Sequence, residues 1–134
     1  MPDAGLWTIT GLLVALAQAP QAVPPRAAVP TLTGAYTCRG EIDAQPYMLV
    51  LAIEADGDTL RFAWSTTADT EPLTVGLGVR EGDVVAVALL HRRSGYLGVA
   101  LYRVTTPDRL AAQWSMGQGR VSEEQCVRRG RAAA

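Results

Sequence analysis

Two residues able to form a covalent cross-link, Cys38 and Cys126, stand near opposite ends of the patterned part of the chain, and they are its only cysteines. There is no C-x-x-C pair, so a thioredoxin-type dithiol is not indicated. His91 is the single histidine, which leaves a Cys/His zinc site short of ligands. An even pair in an exported chain reads as one structural disulfide, with two buried free thiols as the alternative. His91 sits at a strand end beside Arg92 and Arg93, and Ser65, Ser94, Ser115 and Ser122 are its conceivable partners. None of these serines lies in a Gly-x-Ser-x-Gly elbow, so His91 is expected to be a solvated loop residue. Glu123 with Glu124, and Glu41 with Asp43, would suit acid–base chemistry only if each pair shared a site. Adjacent strand residues point to opposite faces, which separates Glu123 from Glu124, and Glu41 and Asp43 fall in an expected loop. Solubility is the role expected of all four. Gly76-x-Gly78 lacks the third glycine and the following helix of a nucleotide loop, and reads as relief of crowding in a strand. The sequence thus assigns no catalytic residue, no metal ligand and no cofactor.

The aromatic residues carry more. Trp64 and Trp114 each fall late in an expected strand, with Tyr36, Tyr47, Tyr96 and Tyr102 in others. Rings with polar tips at the mouth of a barrel could line a pocket. Tyr36, Trp64, Tyr102 and Trp114 are the candidate ligand-binding residues. The alternative is that these rings only fill the core. Arg61 alternates away from Phe62 and Trp64 and so is expected to face solvent.

The elements that must position these residues are strands. From Thr33 onward, turn signals recur about every ten to twelve residues and no helical period appears, the pattern of a sandwich or barrel. Eight strands are expected, at 34–39, 46–54, 59–65, 72–80, 84–90, 96–104, 109–116 and 122–129, with a loop over 40–45. Leu60, Phe62 and Trp64 alternate cleanly against Thr59, Arg61 and Ala63. The fifth strand is apolar on both faces, so its inward face is left open. Sequential strands with short connections pair antiparallel. Cys38 falls in the first strand and Cys126 in the last. A disulfide requires Cα atoms within about 7 Å, so a bond between them would make the terminal strands neighbours and close the sheet into a barrel. The expected fold is therefore an all-β, eight-stranded antiparallel up-and-down meander, closed as a barrel over residues 32–129.

Residues outside that span read differently. Leu6 to Ala17 is an apolar run of signal-peptide length, and Ala15-Leu16-Ala17 offers a cleavage site, so 1–17 is expected to be a signal peptide. It departs from the usual pattern in having Asp3 and no Lys or Arg before the run; an N-terminal core helix is the alternative. Residues 18–31 form a Pro/Ala-rich linker, and 130–134 a disordered tail. The protein is accordingly expected to be periplasmic or secreted, with no stable membrane span once the signal is cleaved. A formal net charge of -1 gives no footprint for nucleic acid. Hydrophobic residues at 49% against charged residues at 19% place the chain among folded rather than disordered proteins.

Several short features follow one another along the chain: Gly34-Ala35-Tyr36-Thr37-Cys38-Arg39-Gly40, Tyr47, Gly57-Asp58 before an aromatic strand ending in Trp64, Gly76-Leu77-Gly78-Val79, Gly82-Asp83, Gly98, Tyr102 and Trp114. Over about residues 34–128 their order resembles that of a group of small secreted bacterial proteins. The chain departs from the group at Ala44-Gln45, where a glycine is often found. Some of those proteins bear a fibronectin-binding or adhesin label, so the resemblance implies a protein-binding role. The strand count is also similar to that of avidin and lipocalin barrels, a likeness of architecture that carries no function. The expected function is an exported, non-enzymatic binding or structural domain. Its partner would be a small apolar molecule in the barrel or an extracellular protein at the loops. The alternatives are a small secreted hydrolase or isomerase, with Arg61, His91 or carboxylates in the mouth, and an inhibitor of an extracellular enzyme.

Overall fold

Period-two alternation runs through nearly every segment between turn residues, and each such segment is a strand. A computed structural model of the chain describes residues 31–68 and 70–130. The expected signal peptide at 1–17 and the linker at 18–31, save Thr31, lie outside the described residues, as do residues 131–134 of the expected tail.

Eight strands follow one another: β1 (Gly34–Ile42), β2 (Gln45–Asp56), β3 (Thr59–Ser65), β4 (Thr74–Glu81), β5 (Val84–His91), β6 (Leu97–Thr106), β7 (Arg109–Ser115) and β8 (Ser122–Arg128). Each pairs antiparallel with its neighbour in sequence, and β1 pairs with β8, so the sheet is a closed barrel. Closure removes the two exposed edges an open meander would carry. Cys38 lies directly opposite Cys126 in the β1–β8 register and the two form a disulfide.

Most strand ends differ from the expected ones by one or two residues, and one expected loop is corrected. The loop expected over 40–45 is a two-residue turn, because β1 continues to Ile42 and Ile42 pairs with Gln45. Asp43 and Ala44 both have positive φ, 51° and 63°, the geometry of a type I′ hairpin. Asn-Gly or Asp-Gly would have announced such a turn; Asp-Ala does not.

The inward side chains form one core. Leu51, Ile53, Phe62, Val85 and Leu110 are all essentially buried, together with Tyr36 and Tyr102. In β5 the choice left open by its sequence falls on Val85, Val87 and Leu89, which point inward, while Ala86, Ala88 and Leu90 point out. Gly76 and Gly78 stand where a barrel wall meets large rings. A Cβ on Gly76 would lie 3.2 Å from the Trp64 ring and 2.8 Å from Val87, and one on Gly78 would lie 2.9 Å from Phe62. Their missing side chains are the space those rings occupy.

The two ends of the barrel differ. At one end three tight turns, Gly57-Asp58, Gly82-Asp83 and Pro107-Asp108, join the strands. There Leu32 is buried, and the Tyr36 hydroxyl donates to its carbonyl at 2.9 Å. Arg128 lies over the Tyr36 ring at 4.9 Å, donates to the carbonyls of Thr31 and Thr33, and pairs with Asp108. This end is a floor. At the other end the connections 66–73, 92–96 and 116–121 are longer and surround a mouth.

The outer wall is also uneven. Leu77 and Val79 on β4, Ala86, Ala88 and Leu90 on β5, and Leu97, Val99 and Leu101 on β6 are exposed and adjacent in register. The outer residues of β7, β8 and β1 include Arg109, Gln113, Glu123, Gln125, Arg39 and Glu41, all exposed.

Candidate functional site

Inward alternation brings residues from seven strands to the mouth. Tyr47 and Leu49 enter from β2, Trp64 from β3, Thr74 from β4, Leu89 and His91 from β5, Tyr102 from β6, and Trp114 from β7. Glu124 enters from β8. Ile42, Leu73 and Met116 stand at the rim. Together they enclose a cavity of about 320 Å3, within the range of small-molecule sites. Below it the ladder of Trp64, Phe62 and Tyr102, with centroids 5.5 to 6.3 Å apart, closes the barrel interior. The cavity therefore has largely apolar walls, with Thr74 and His91 among them, an aromatic base and one buried carboxyl group.

That group is Glu124, which is only 3% exposed. The Tyr102 hydroxyl donates to its Oε2 at 2.5 Å and the Tyr47 hydroxyl to its Oε1 at 3.0 Å. Trp114 Nε1–H donates in turn to the Tyr47 oxygen at 3.0 Å, and the two rings meet edge-on. Gly40 makes room for this chain. A Cβ there would fall 2.5 Å from the Tyr47 hydroxyl and 2.6 Å from the Glu123 carbonyl, so a side chain would push Tyr47 off the carboxylate.

Burial raises the Glu124 carboxyl above its ordinary range, and the hydrogen bonds from Tyr102, Tyr47 and Trp64 pull it part of the way back. Tyr47 and Tyr102 are both raised, first by burial and then by the negative charge of Glu124. Both phenols therefore keep their protons at neutral pH and act as donors, with the carboxylate as acceptor. No arginine lines the cavity among the described residues. The ion pair between Arg120 and Asp43 is exposed.

Two conceivable chemistries are weighed by geometry. Ligand atoms of Cys38, Glu124 and Cys126 lie within 4.8 Å of one another. The two sulfurs are bonded to each other, so they offer no thiolate to a metal. The Cys126 sulfur, 3.5 Å from Glu124 Oε2, has no proton to donate. His91 Nδ1 accepts from the Ser94 backbone N–H at 3.3 Å and lies 2.9 Å from Ser94 Oγ. That Oγ in turn accepts from the Tyr96 N–H. These are bonds of a local turn, and among the described residues no carboxylate orients the imidazole.

Of the sequence candidates, Trp64, Tyr102 and Trp114 are brought together around the cavity, whereas Tyr36 belongs to the floor at the opposite end. Arg61, entertained for the mouth of an enzyme, lies on the outer wall paired with Asp56 at 2.8 Å. Glu124, assigned to solubility from its sequence, is a correction: it is buried and central. The signal was present in the two-residue period, because a carboxylate two positions from an inward cysteine must also point inward. Tyr47 is the other residue missed. No protein-family model, curated protein or solved structure matches the chain.

Proposed function

We propose that this is an exported binding domain that holds one small, largely apolar molecule in the mouth of its barrel, without chemical turnover. The observation that carries the reading is the cavity of about 320 Å3, apolar-walled and rimmed by the longer loops. A barrel filled only for stability would bring its side chains together there as they do at the floor. Binding is favoured over turnover because His91 is engaged in a turn and, among the described residues, no carboxylate orients it. The disulfide is compatible with a periplasmic or secreted location. The adhesin-type role implied by the resemblance would use the loops 66–73, 92–96 and 116–121.

The test is native mass spectrometry of protein exported to a bacterial periplasm and purified gently, followed by calorimetric titration with apolar alcohols and amines. The expected result is a small mass lost on denaturation, or saturable binding that Trp114→Ala abolishes. A bare mass together with a silent panel would sink the proposal.

A further inference from the structure

We propose that the ligand carries a cationic head, an alkylated ammonium group, seated among Tyr47, Trp64, Tyr102 and Trp114 beside the carboxylate of Glu124. This rests on the cavity being a ligand site. Four aromatic rings and one carboxylate line the same cavity, whose other walls are apolar apart from Thr74 and His91. Aromatic faces attract cations through the ring quadrupole, more strongly when water is excluded. The carboxylate is held by donors at both oxygens, so its place is fixed before any ligand arrives. What the donors do not supply is positive charge, and an ionised carboxylate in an apolar interior without a cation is costly. A neutral ligand would leave that cost in place. A quaternary ammonium removes it and needs no hydrogen bond, which suits oxygens already occupied by tyrosines.

The groups facing Glu124 are Tyr47 from β2, Trp64 from β3, Tyr102 from β6 and the Cys38–Cys126 disulfide from β1 and β8. His91 shares the cavity from β5. Ammonium affinity should therefore rise with pH as Glu124 ionises.

The probe pair is 4-hydroxybutyltrimethylammonium and its neutral isostere 5,5-dimethylhexan-1-ol, titrated by calorimetry into the full chain. The expected result is about a tenfold preference for the ammonium, lost in Glu124→Gln. In the parent protein the preference should grow with pH while the affinity for the alcohol stays flat, a readout that needs no variant to fold. If the alcohol binds as well as the ammonium, the cationic class is overturned and the apolar-ligand reading survives. If neither binds, both fall.

A separate observation concerns the outer wall. We infer that the apolar face of β4, β5 and β6 is covered by a second copy of this chain. Leu77 pairs across Ala88 with Val99, and Val79 across Ala86 with Leu101, which gives two ridges flanking a trough of alanines. Such a face is self-complementary about a twofold axis, the ridge of one copy lying in the trough of the other. Its six large side chains are 39% to 74% exposed, roughly 600 Å2 before the alanines are added, against ~800 Å2 per partner in a standard interface. Lipid is the poorer occupant, because an apolar band that spans a bilayer must run right round a barrel. Sedimentation equilibrium at tens of micromolar should give a dimer that Ala88→Glu dissociates. A monomeric parent would overturn this, and a monomer that co-sediments with anionic phosphatidylglycerol vesicles would hand the face to lipid instead.

Discussion

The floor and the mouth are made by the same eight strands, yet they differ in nearly every physical respect. At the floor the turns are two residues long, and a tyrosine, a leucine and an arginine interlock with backbone carbonyls. At the mouth three of the four connections lengthen, the rings surround a cavity, and the buried charged group is an acid. Arg128 keeps its charge partly wet beside Asp108, an arrangement natural for a long side chain. Glu124 is too short to reach water and must be satisfied inside. The floor is thus tied together by bonds and the mouth left hollow, the division that the proposed binding role would use.

Perturbations should respect that division. The largest expected effect belongs to neither end, since the disulfide ties β1 to β8 along the barrel wall. Its sequence separation is 88 residues, and the chain-entropy estimate for such a loop is about 4–5 kcal/mol. Cys38→Ser combined with Cys126→Ser should lose stability of that order in urea unfolding; an unchanged midpoint would show the cross-link to be idle. Next comes the floor. Tyr36→Ala empties a fully buried ring and should cost about 3–5 kcal/mol. Ligand affinity of the folded fraction should be unmoved. If affinity falls with it, the two ends are not independent.

A smaller effect probes the mouth. The folded-state value of Glu124 lies above its ordinary 4.5, so the native chain holds this proton more tightly than the unfolded chain does. The group's stabilising contribution is then full below that ordinary value and is lost as pH rises through the raised one. Glu124→Gln should remove that decline. The difference between the two thermal unfolding curves should widen with pH over the window and be flat outside it. Curves that run parallel would mean that Glu124 is no more buried than a surface acid. The smallest effect is at the β1–β2 turn, where Ala44 has φ 63°. Left-handed backbone costs a non-glycine residue roughly 1 kcal/mol, so Ala44→Gly should raise the melting temperature slightly and leave binding alone. A lowered melting temperature would count against the strained turn.

How legible all this was depends on the part of the barrel. Alternation in Leu60, Phe62 and Trp64, and the placement of Cys38 and Cys126, specify strands and closure because period and cross-link are properties of the chain itself. The inward face of β5 was not legible, since Val85 and Ala86 are both apolar and only the register with β4 and β6 decides between them. Among candidate site residues, Trp64, Tyr102 and Trp114 could be recognised from their faces, but height along the barrel could not, and Tyr36 falls at the wrong end for that reason. Glu124 is hidden in the sequence because acids belong at surfaces unless paired, although its spacing from Cys126 sets its direction. Tyr47 earns its place through Gly40, a contact between strands that no local pattern encodes.

The Arg128 bonds to Thr31 and Thr33 bring the two ends of the described chain together beneath the floor. Thr31 and Gly130 therefore both lie at the floor, on the side away from the cavity. Were the molecule fastened to a surface close to either residue, its opening would be turned outward, as a cup stands on its base. Attachment at the floor and the proposed capture at the mouth would then not compete for space.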